Sequence, residues 1–113
     1  MLEKTIEQRL RKRIIEEIPG ALCLKLVCPG FTGVPDRLIL IPGPPLGGRV
    51  IFVETKRPKD KERPRQAYVQ QLLTRMGFMV FSAVNSMEKV EDVVSRSKSL
   101  HEKGLKKHER SAI

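Results

Sequence analysis

Two short apolar runs separated by a loop of glycine and proline constrain the fold of this chain more than any other feature. Residues 37–41 and 49–53 are rich in β-branched side chains and no longer than typical strands. The seven residues between them, 42–48, include three prolines and three glycines and cannot continue a helix. The pattern therefore predicts an antiparallel hairpin with a wide loop.

The hairpin brings two acidic residues to its open end. If Ile41 faces Arg49, antiparallel pairing places Asp36 opposite Glu54. Like charges directly opposed across a ladder, with Cβ atoms roughly 5 Å apart, are destabilising. A hard divalent cation, which takes carboxylate oxygens, is the obvious reason to keep them there. Residues i and i+2 share a face, so Lys56 points the same way as Glu54. A loop so rich in glycine and proline leaves the register open by one or two residues.

The net charge of +9, from 22 Lys and Arg against 13 Asp and Glu, indicates a polyanionic partner, most often nucleic acid. The same charge also serves solubility, so it does not identify the partner by itself. Aromatic residues are scarce, with one Tyr, four Phe and no Trp, which argues against a platform that stacks the bases of single strands. Contacts to the phosphate backbone fit the composition better.

The 113 residues suit one domain, 1–113, with enough apolar side chains for a core. No apolar run approaches the roughly 20 residues that cross a membrane. The charged N-terminus is unlike a signal peptide. We therefore expect a soluble, cytoplasmic protein with no membrane partner. Cys23 and Cys28 form no CxxC and have no His nearby, which favours two free thiols over a zinc site.

The N-terminal segment 3–18 has the periodicity of an amphipathic helix. Glu7 lies on or beside its apolar stripe, three and seven residues before Leu10 and Ile14. One interpretation is an acid directed at the cation, and the other is a solvated acid paired with Arg11 at i+4. The stripe itself consists of Ile6, Leu10, Ile14 and Ile18.

Downstream of the hairpin, the pattern alternates between helix and strand. A second helix is predicted from Pro64 or Arg65 to Met76, with Gly77 as its C′ glycine. Gln66 falls on the buried face of this helix, where its amide needs hydrogen-bond partners. The remaining predicted elements are strands over 21–27 and 78–84, a third helix over 87–100 and a basic, frayed or disordered tail from about 101.

These elements follow the order α-β-β-β-α-β-α. The step from the second hairpin strand through the second helix to strand 78–84 predicts a parallel pair of strands. The fold class is therefore α/β, with an αβββαβ core and a small mixed sheet flanked by helices on both faces.

The segment 57–65 joins the hairpin to the second helix and is dominated by charge. With prolines at 58 and 64, it is typical of a solvated loop. Because it lies next to the predicted carboxylate pair, its cations are placed to hold a phosphate backbone. Lys25, on the first strand, points either toward the site or toward solvent. The predicted DNA contacts are Lys25, Arg37, Arg57, Lys59, Lys61, Arg63 and Arg65.

The order of these motifs resembles a known superfamily. An acidic helix, then Pro35-Asp36, then Glu54-Thr55-Lys56 is similar to the core of the PD-(D/E)xK nucleases, which implies a restriction-endonuclease-like fold. The wider context resembles the virus-type replication-repair nuclease domain, VRR-NUC, over about residues 3–94. The chain is similar to the stand-alone form found in phages and bacteria. The segments that carry the resemblance are 24–27, 29–37, 52–58, 63–66 and 76–78.

The resemblance implies an endonuclease that hydrolyses phosphodiester bonds in DNA with Mg²⁺ or Mn²⁺ and no organic cofactor. Asp36, Glu54 and the backbone carbonyl of Thr55 are the implied metal ligands. Glu7 matches the family's helical acid and is an implied ligand directly or through water. Thr55 departs from the aliphatic residue expected at its position, which does not matter if only its carbonyl binds metal.

Two further residues match catalytic positions of the family. Lys56 is implied to orient the attacking water and to meet the charge that develops on phosphate. Gln66 matches the glutamine of the helix after the site. Stand-alone members resemble Holliday junction resolvases, so the resemblance also implies a homodimer that cuts branched DNA, in the cytoplasm of a bacterial host if a phage encodes it.

Two alternatives remain open from the sequence. One is a DNA-binding module of the same fold that does not cut, or cuts only within a larger complex. The other is a basic interaction protein in which Asp36 and Glu54 are exposed charges at strand ends. The complete set of Asp36, Glu54 and Lys56 disfavours the first, because a pure binder has no use for two opposed acids within a basic surface. The second would be supported if metal changed neither the melting temperature nor any nucleic-acid phenotype.

Overall fold

The computed structural model describes residues 3–57 and 59–112, with side chains as far as Lys107 in the last helix. Within these residues the chain forms three helices and four strands in the predicted order. The elements are α1 (Glu3–Glu17), β1 (Leu22–Lys25), β2 (Arg37–Ile41), β3 (Arg49–Thr55), α2 (Pro64–Arg75), β4 (Met79–Val84) and α3 (Met87–Ala112).

The four strands form one mixed sheet in the order β1-β2-β3-β4. β1 and β3 both pair antiparallel with β2, whereas β3 and β4 are parallel and are joined through α2. The predicted α/β class and mixed sheet are confirmed. The parallel pair requires a crossover connection, and α2 supplies it.

The register of the hairpin agrees with the prediction. Ile41 pairs with Arg49, and the ladder runs without interruption to Arg37 opposite Val53. Asp36 and Glu54 therefore follow the last pair directly, one residue beyond it on each strand. This register fixes which groups meet at the open end of the hairpin.

The main core lies between one face of the sheet and the pair α1 and α3. It forms because the stripe of α1 and the inward residues of α3 meet every second residue of the central strands. Val69 of α2 is buried outside this core, and α2 packs on β4. The members of the core include Ile6, Leu10, Ile14, Ile18, Ile39, Ile41, Ile51, Val53, Val90 and Val93.

Two elements, β1 and α3, differ from their predicted bounds by more than one residue. β1 spans only Leu22–Lys25 of the predicted 21–27, and beyond it Leu26 N–H still donates to the Asp36 carbonyl at 2.8 Å. α3 continues to Ala112 instead of ending at Leu100, so the basic segment expected to be frayed is helical. His101, half-buried, lies against the hairpin loop with its Nδ1 2.9 Å from the Pro42 carbonyl oxygen.

β4 carries one extra residue where it passes Glu54. Val53 pairs with Phe81, but Thr55 pairs with Val84, so two residues of β4 oppose one of β3. Ala83, at the irregularity, has a φ of +53°, a left-handed conformation that costs energy for a residue with a Cβ. The irregularity lies beside the strand end that carries the predicted site.

Of the helices in the described part of the chain, none combines the length and the apolar character that a membrane span requires.

Candidate active site at the open end of the hairpin

The end of β3 divides the predicted site between the two faces of the sheet. The Thr55 hydroxyl is directed to α1, where it lies near Glu3 and Glu7. The Glu54 carboxylate is directed to α2, where it accepts a hydrogen bond from Gln66. Consecutive strand residues point to opposite faces, so α1 and α2 bring their polar side chains to the same strand end from opposite sides.

On the α1 side, three acids converge. Carboxylate oxygens of Glu3, Glu7 and Asp36 all lie within 4.8 Å of one another. Thr55 holds Asp36 in place, because its backbone N–H donates to Asp36 Oδ1 at 2.8 Å and its hydroxyl donates to Asp36 Oδ2. The hydroxyl oxygen also lies 3.3 Å from Glu7 Oε1 and 3.4 Å from Glu3 Oε1. Three carboxylates therefore surround one buried hydroxyl.

The electrostatics of this group favour a positive charge. Burial raises the pKa of Asp36 to about 6, against the lowering effect of the two hydrogen bonds from Thr55. Burial also acts to raise the pKa of Glu7, but hydrogen bonds with Asp36 and Arg37 hold that pKa below its usual range. The Asp36 carboxylate is thus less stable in its charged form than it is in water.

On the α2 side, an amide bridges an acid and an amine. Gln66 Oε1 accepts a hydrogen bond of 2.7 Å from Lys56 Nζ, and Gln66 Nε2 donates one of 3.1 Å to Glu54 Oε1. The amine also lies 3.6 Å from Glu54 Oε1, in an ion pair that is almost completely buried. Burial and then the charge of Asp36 raise the pKa of Glu54 to about 7. Arg63 N–H donates to the same Gln66 oxygen at 3.1 Å.

Oxygen donors on both sides suit a divalent cation, with Glu3, Glu7 and Asp36 grouped on the α1 side and Glu54 outside that group on the α2 side. Glu54 Oε2 is buried and has no hydrogen-bond partner among the described residues. A buried carboxylate oxygen without a partner is costly, and a cation removes that cost. Carboxylates are the ligands that Mg²⁺ and Mn²⁺ prefer. The expected ligand role of the Thr55 carbonyl stays a prediction, whereas the Thr55 hydroxyl enters the site in a way that the sequence analysis did not foresee.

Glu7 does not form the ion pair with Arg11 that was the alternative interpretation of its role. Its Oε2 lies 2.7 Å from an Nη of Arg37 on β2, so the pair with Arg11 is not what the structure shows. The Arg37 side chain is only 14% exposed, and its Nε is buried without a partner among the described residues. Its charge therefore balances the acids of the site, and it is not free at the surface as a DNA contact requires.

The loop that leads to Asp36 is fixed against α2. Gly33 has a φ of +89°, and a Cβ there would lie 2.7 Å from Arg65 Cγ and 2.8 Å from the Arg65 carbonyl oxygen. Arg65 Nε donates to the Thr32 carbonyl at 3.0 Å. Only glycine permits this approach, which couples the position of Asp36 to the helix that carries Gln66.

The remaining predicted DNA contacts are exposed. A cleft of about 380 Å³ opens onto the acidic group, and Lys4 and Arg57 line it together with two of the acids. Cations on the rim of such a cleft are placed to meet a phosphate. Lys25, Lys59, Lys61, Arg63 and Arg65 are exposed as well.

Sequence reasoning missed two residues of the site. Glu3 lies one helical turn before Glu7 and reaches the same hydroxyl, and this i, i+4 spacing was the signal that could have identified it. Lys4 was missed because nothing in its local sequence separates it from other surface lysines.

Comparison with known proteins identifies the family. No family model matches the chain. The curated protein "Putative nuclease p44" of Acyrthosiphon pisum secondary endosymbiont phage 1 is 37% identical over 76 residues, which are 66% of this chain and 77% of that protein. A solved structure described as "VRR_NUC domain" superposes with a TM-score of 0.70 at 26% identity, covering 82% of this chain and 94% of that one. On these two matches, the chain belongs to the VRR-NUC family.

Proposed function

We propose that this protein is a Mg²⁺- or Mn²⁺-dependent endonuclease that hydrolyses phosphodiester bonds in DNA. The observation that carries the proposal is Glu54, which has one oxygen bound to Gln66 beside Lys56 and a second oxygen buried without a partner among the described residues. A binding module gains no affinity for a polyanion from such an acid. A hydrolase gains a cation ligand.

The proposed ligands are Asp36, Glu54 and the Thr55 carbonyl, with Glu7 binding directly or through water. Asp36 is held by both Thr55 donors, so its carboxylate is oriented before any cation arrives. When bound, a divalent cation polarises a phosphodiester and supplies a nucleophilic water at neutral pH. Glu3, in the same acidic group, adds negative charge that favours the cation further.

Lys56 is the proposed partner of the reacting phosphate. Its amine is held by the Gln66 oxygen at 2.7 Å and by the nearby Glu54 carboxylate, so its position is fixed before substrate binds. A preoriented cation in a water-poor site stabilises negative charge that develops on phosphate oxygens far more than it would in water. The same fixed amine is proposed to orient the attacking water.

The exposed cations around the cleft are proposed to hold the DNA backbone. Lys4 and Arg57 flank the entrance to the acidic group, and the charged segment continues toward α2. Their charge offsets the repulsion between DNA phosphates and the acids at the base of the cleft. Binding by these residues depends on phosphate contacts and therefore on salt concentration.

We also propose that the substrate is branched DNA and that the protein acts as a homodimer. The family resemblance supports both, and the structure offers a surface for a second copy. The side chains of Leu22 and Leu24 on the edge strand β1 are 50% and 43% exposed, although Cys23 between them is buried against the core. An edge strand with exposed leucines is costly in a monomer and gains from pairing with another copy.

The test is cleavage of a labelled four-way DNA junction beside a linear duplex of the same sequence, with Mg²⁺, Mn²⁺ or EDTA. We expect junction cleavage with either metal, none in EDTA, and loss of cleavage in Lys56→Ala. Lys12→Ala, at an exposed lysine of α1, is the control and keeps full activity. Cutting of linear DNA alone removes the branched-substrate claim. Tight binding without cutting under either metal makes the protein a binding module instead.

A further inference from the structure

The surface next to the proposed site carries two aromatic rings and one guanidinium in a single cluster. Arg65 Cζ lies 4.9 Å from the centroid of the Phe31 ring and 5.3 Å from that of the Tyr68 ring. Phe31 belongs to the loop between β1 and β2, whereas Arg65 and Tyr68 lie one turn apart on α2. The chain has five aromatic residues, and two of them contact the same arginine side chain at the surface. We call these three residues the aromatic–arginine cluster.

The cluster is open to solvent. The side chains of Phe31 and Tyr68 are 44% and 52% exposed, and Arg65 is exposed too. Arg65 uses Nε to bind the Thr32 carbonyl, and its two terminal nitrogens have no hydrogen-bond partner among the described residues. The cluster therefore presents apolar π surface and unused cationic donors side by side.

Contacts other than the two rings also join the loop to α2. The backbone contact between Gly33 and Arg65 and the hydrogen bond to Thr32 already fix the loop to α2. A single ring over Arg65 would complete a structural cation–π contact. With Phe31 on the loop and Tyr68 on α2, the second ring adds exposed apolar surface beyond that contact. This surface is available to bind a ligand.

The position of the cluster links it to the chemistry. Arg65 directly precedes Gln66, whose amide binds both Lys56 and Glu54. On the other side, the loop that carries Phe31 leads directly to Asp36, which Thr55 holds. The cluster thus lies between the two chain segments that build the site, where a nucleotide next to the cleaved bond would pass.

Aromatic rings and guanidinium planes bind bases by stacking, and they do so with little regard to sequence. In continuous duplex DNA each base is already stacked between its neighbours and cannot reach an external ring. A base becomes available only where the stack is broken, at a junction, flap, gap or end. The free nitrogens of Arg65 can then bind the phosphate of the same nucleotide.

We propose that the aromatic–arginine cluster stacks one unpaired base beside the scissile phosphate and so selects DNA whose base stack is interrupted. The inference rests on the proposed nuclease function and adds the residues that recognise the branch. It also revises the expectation from composition, since few aromatic residues are enough when two of them meet at the site.

The test compares binding of two probes by the full chain, in Ca²⁺, a cation that takes the same oxygen ligands. One probe is a continuous duplex, and the other has the same sequence with a one-nucleotide flap that carries 2-aminopurine. The variants are Phe31→Leu and Tyr68→Leu, which keep an apolar side chain and remove the ring. Leu46→Ala, at an exposed leucine of the distant hairpin loop, is the control for loss of exposed apolar surface.

We expect 2-aminopurine fluorescence to be quenched by the wild-type protein and by Leu46→Ala. Each ring variant weakens binding of the flap probe between about 5-fold and 100-fold and lowers the preference for flap over duplex. Tyr68→Leu is the second, independent variant if Phe31→Leu disturbs the loop, and melting temperatures check that each variant is folded.

Equal weakening on both probes, or no weakening on the flap probe, would overturn the proposal and leave the cluster as a structural contact. In either case wild-type cleavage of DNA with Mg²⁺ remains, so the nuclease function stands. A wild-type protein that neither binds nor cuts either probe overturns the proposed function itself, and the cluster proposal with it.

Discussion

The side-chain oxygen of Gln66 accepts a hydrogen bond of 2.7 Å from the amine of Lys56. The nitrogen of the same amide donates to Glu54 at 3.1 Å, so one glutamine sets the separation between the acid and the amine. The amide cannot be replaced by a charged group without losing one of these two bonds, because carboxylates only accept and Lys and Arg only donate, whereas an amide does both. This bridge explains why a glutamine stands on the buried side of α2.

Gln66→Ala is therefore expected to lower kcat by about 10-fold to 100-fold with little change in KM. The reason is that Lys56 loses its fixed position while the exposed DNA contacts remain. Steady-state cleavage of a junction measures both constants. Gln71→Ala, at an exposed glutamine of the same helix, is the control. A change confined to KM would show that Gln66 contributes to binding and not to positioning of Lys56.

Asp36→Asn is expected to stabilise the metal-free protein at pH 8. The pKa of Asp36 is raised to about 6 from an ordinary 3.8, so its stabilising contribution is complete below pH 3.8 and is lost as the pH rises through 6. Asparagine carries no charge to lose. The gain is on the order of 1 kcal/mol after allowance for solvent screening.

Thermal melts in EDTA measure this effect from pH 4 to pH 8. The difference in melting temperature between Asp36→Asn and the wild-type protein should grow with pH. Asp92→Asn, at an exposed acid of α3, is the control and shows no such trend. A wild-type protein that is more stable than Asp36→Asn at pH 8 in EDTA contradicts the account of the acidic group.

The salt dependence of DNA affinity should distinguish the exposed Arg63 from the largely buried Arg37. Arg63→Gln should reduce the slope of log affinity against log salt by about 1, because Arg63 is exposed beside the site and free to neutralise a phosphate. Arg37→Gln should leave that slope unchanged and lower the melting temperature, because it removes the ion pair with Glu7. Filter binding over a salt series measures the slopes. A reduced slope for Arg37→Gln restores the role in DNA binding that the sequence analysis gave it.

Dimer formation should depend on the exposed leucines of the edge strand β1. Leu24→Lys places a charge among exposed leucines of β1 and is expected to shift the protein toward monomer. Sedimentation velocity over a concentration series measures the shift. Leu46→Lys, with the same change on the hairpin loop, is the control. A wild-type protein that stays monomeric at all concentrations removes the dimer from the proposed function.

Much of the fold followed from local patterns. The apolar runs on either side of the loop indicated the hairpin, and of the registers that the loop left open the expected one is present, with Ile41 facing Arg49. The end of α3 could not be predicted, because the charged segment after Leu100 has no local signal that distinguishes a solvated helix from a disordered tail.

The site was predictable where strand geometry alone decides it. The hairpin places Asp36 and Glu54 one residue beyond its last pair, and Lys56 forms an ion pair with Glu54. Thr55 holds the Asp36 carboxylate on the α1 side, however, whereas Glu54 binds Gln66 on the α2 side.

The contacts of site residues from other elements were harder to predict, because they depend on how the helices pack against the sheet. The partner of Glu7 proved to be Arg37, thirty positions away in the chain, and not Arg11 on the same helix. The meeting of Phe31 with Tyr68 depends likewise on the approach of a loop to α2.

The central claim is that a divalent cation held by Asp36 and Glu54 enables cleavage of DNA. Its most direct test is calorimetric titration of Mn²⁺ into the metal-free protein, with junction cleavage followed over the same concentrations. We predict that binding and cleavage saturate together, that Glu54→Gln loses both, and that Lys56→Ala binds Mn²⁺ without cutting. Cleavage at full rate in EDTA, or Mn²⁺ binding that Glu54→Gln leaves unchanged, would contradict the account.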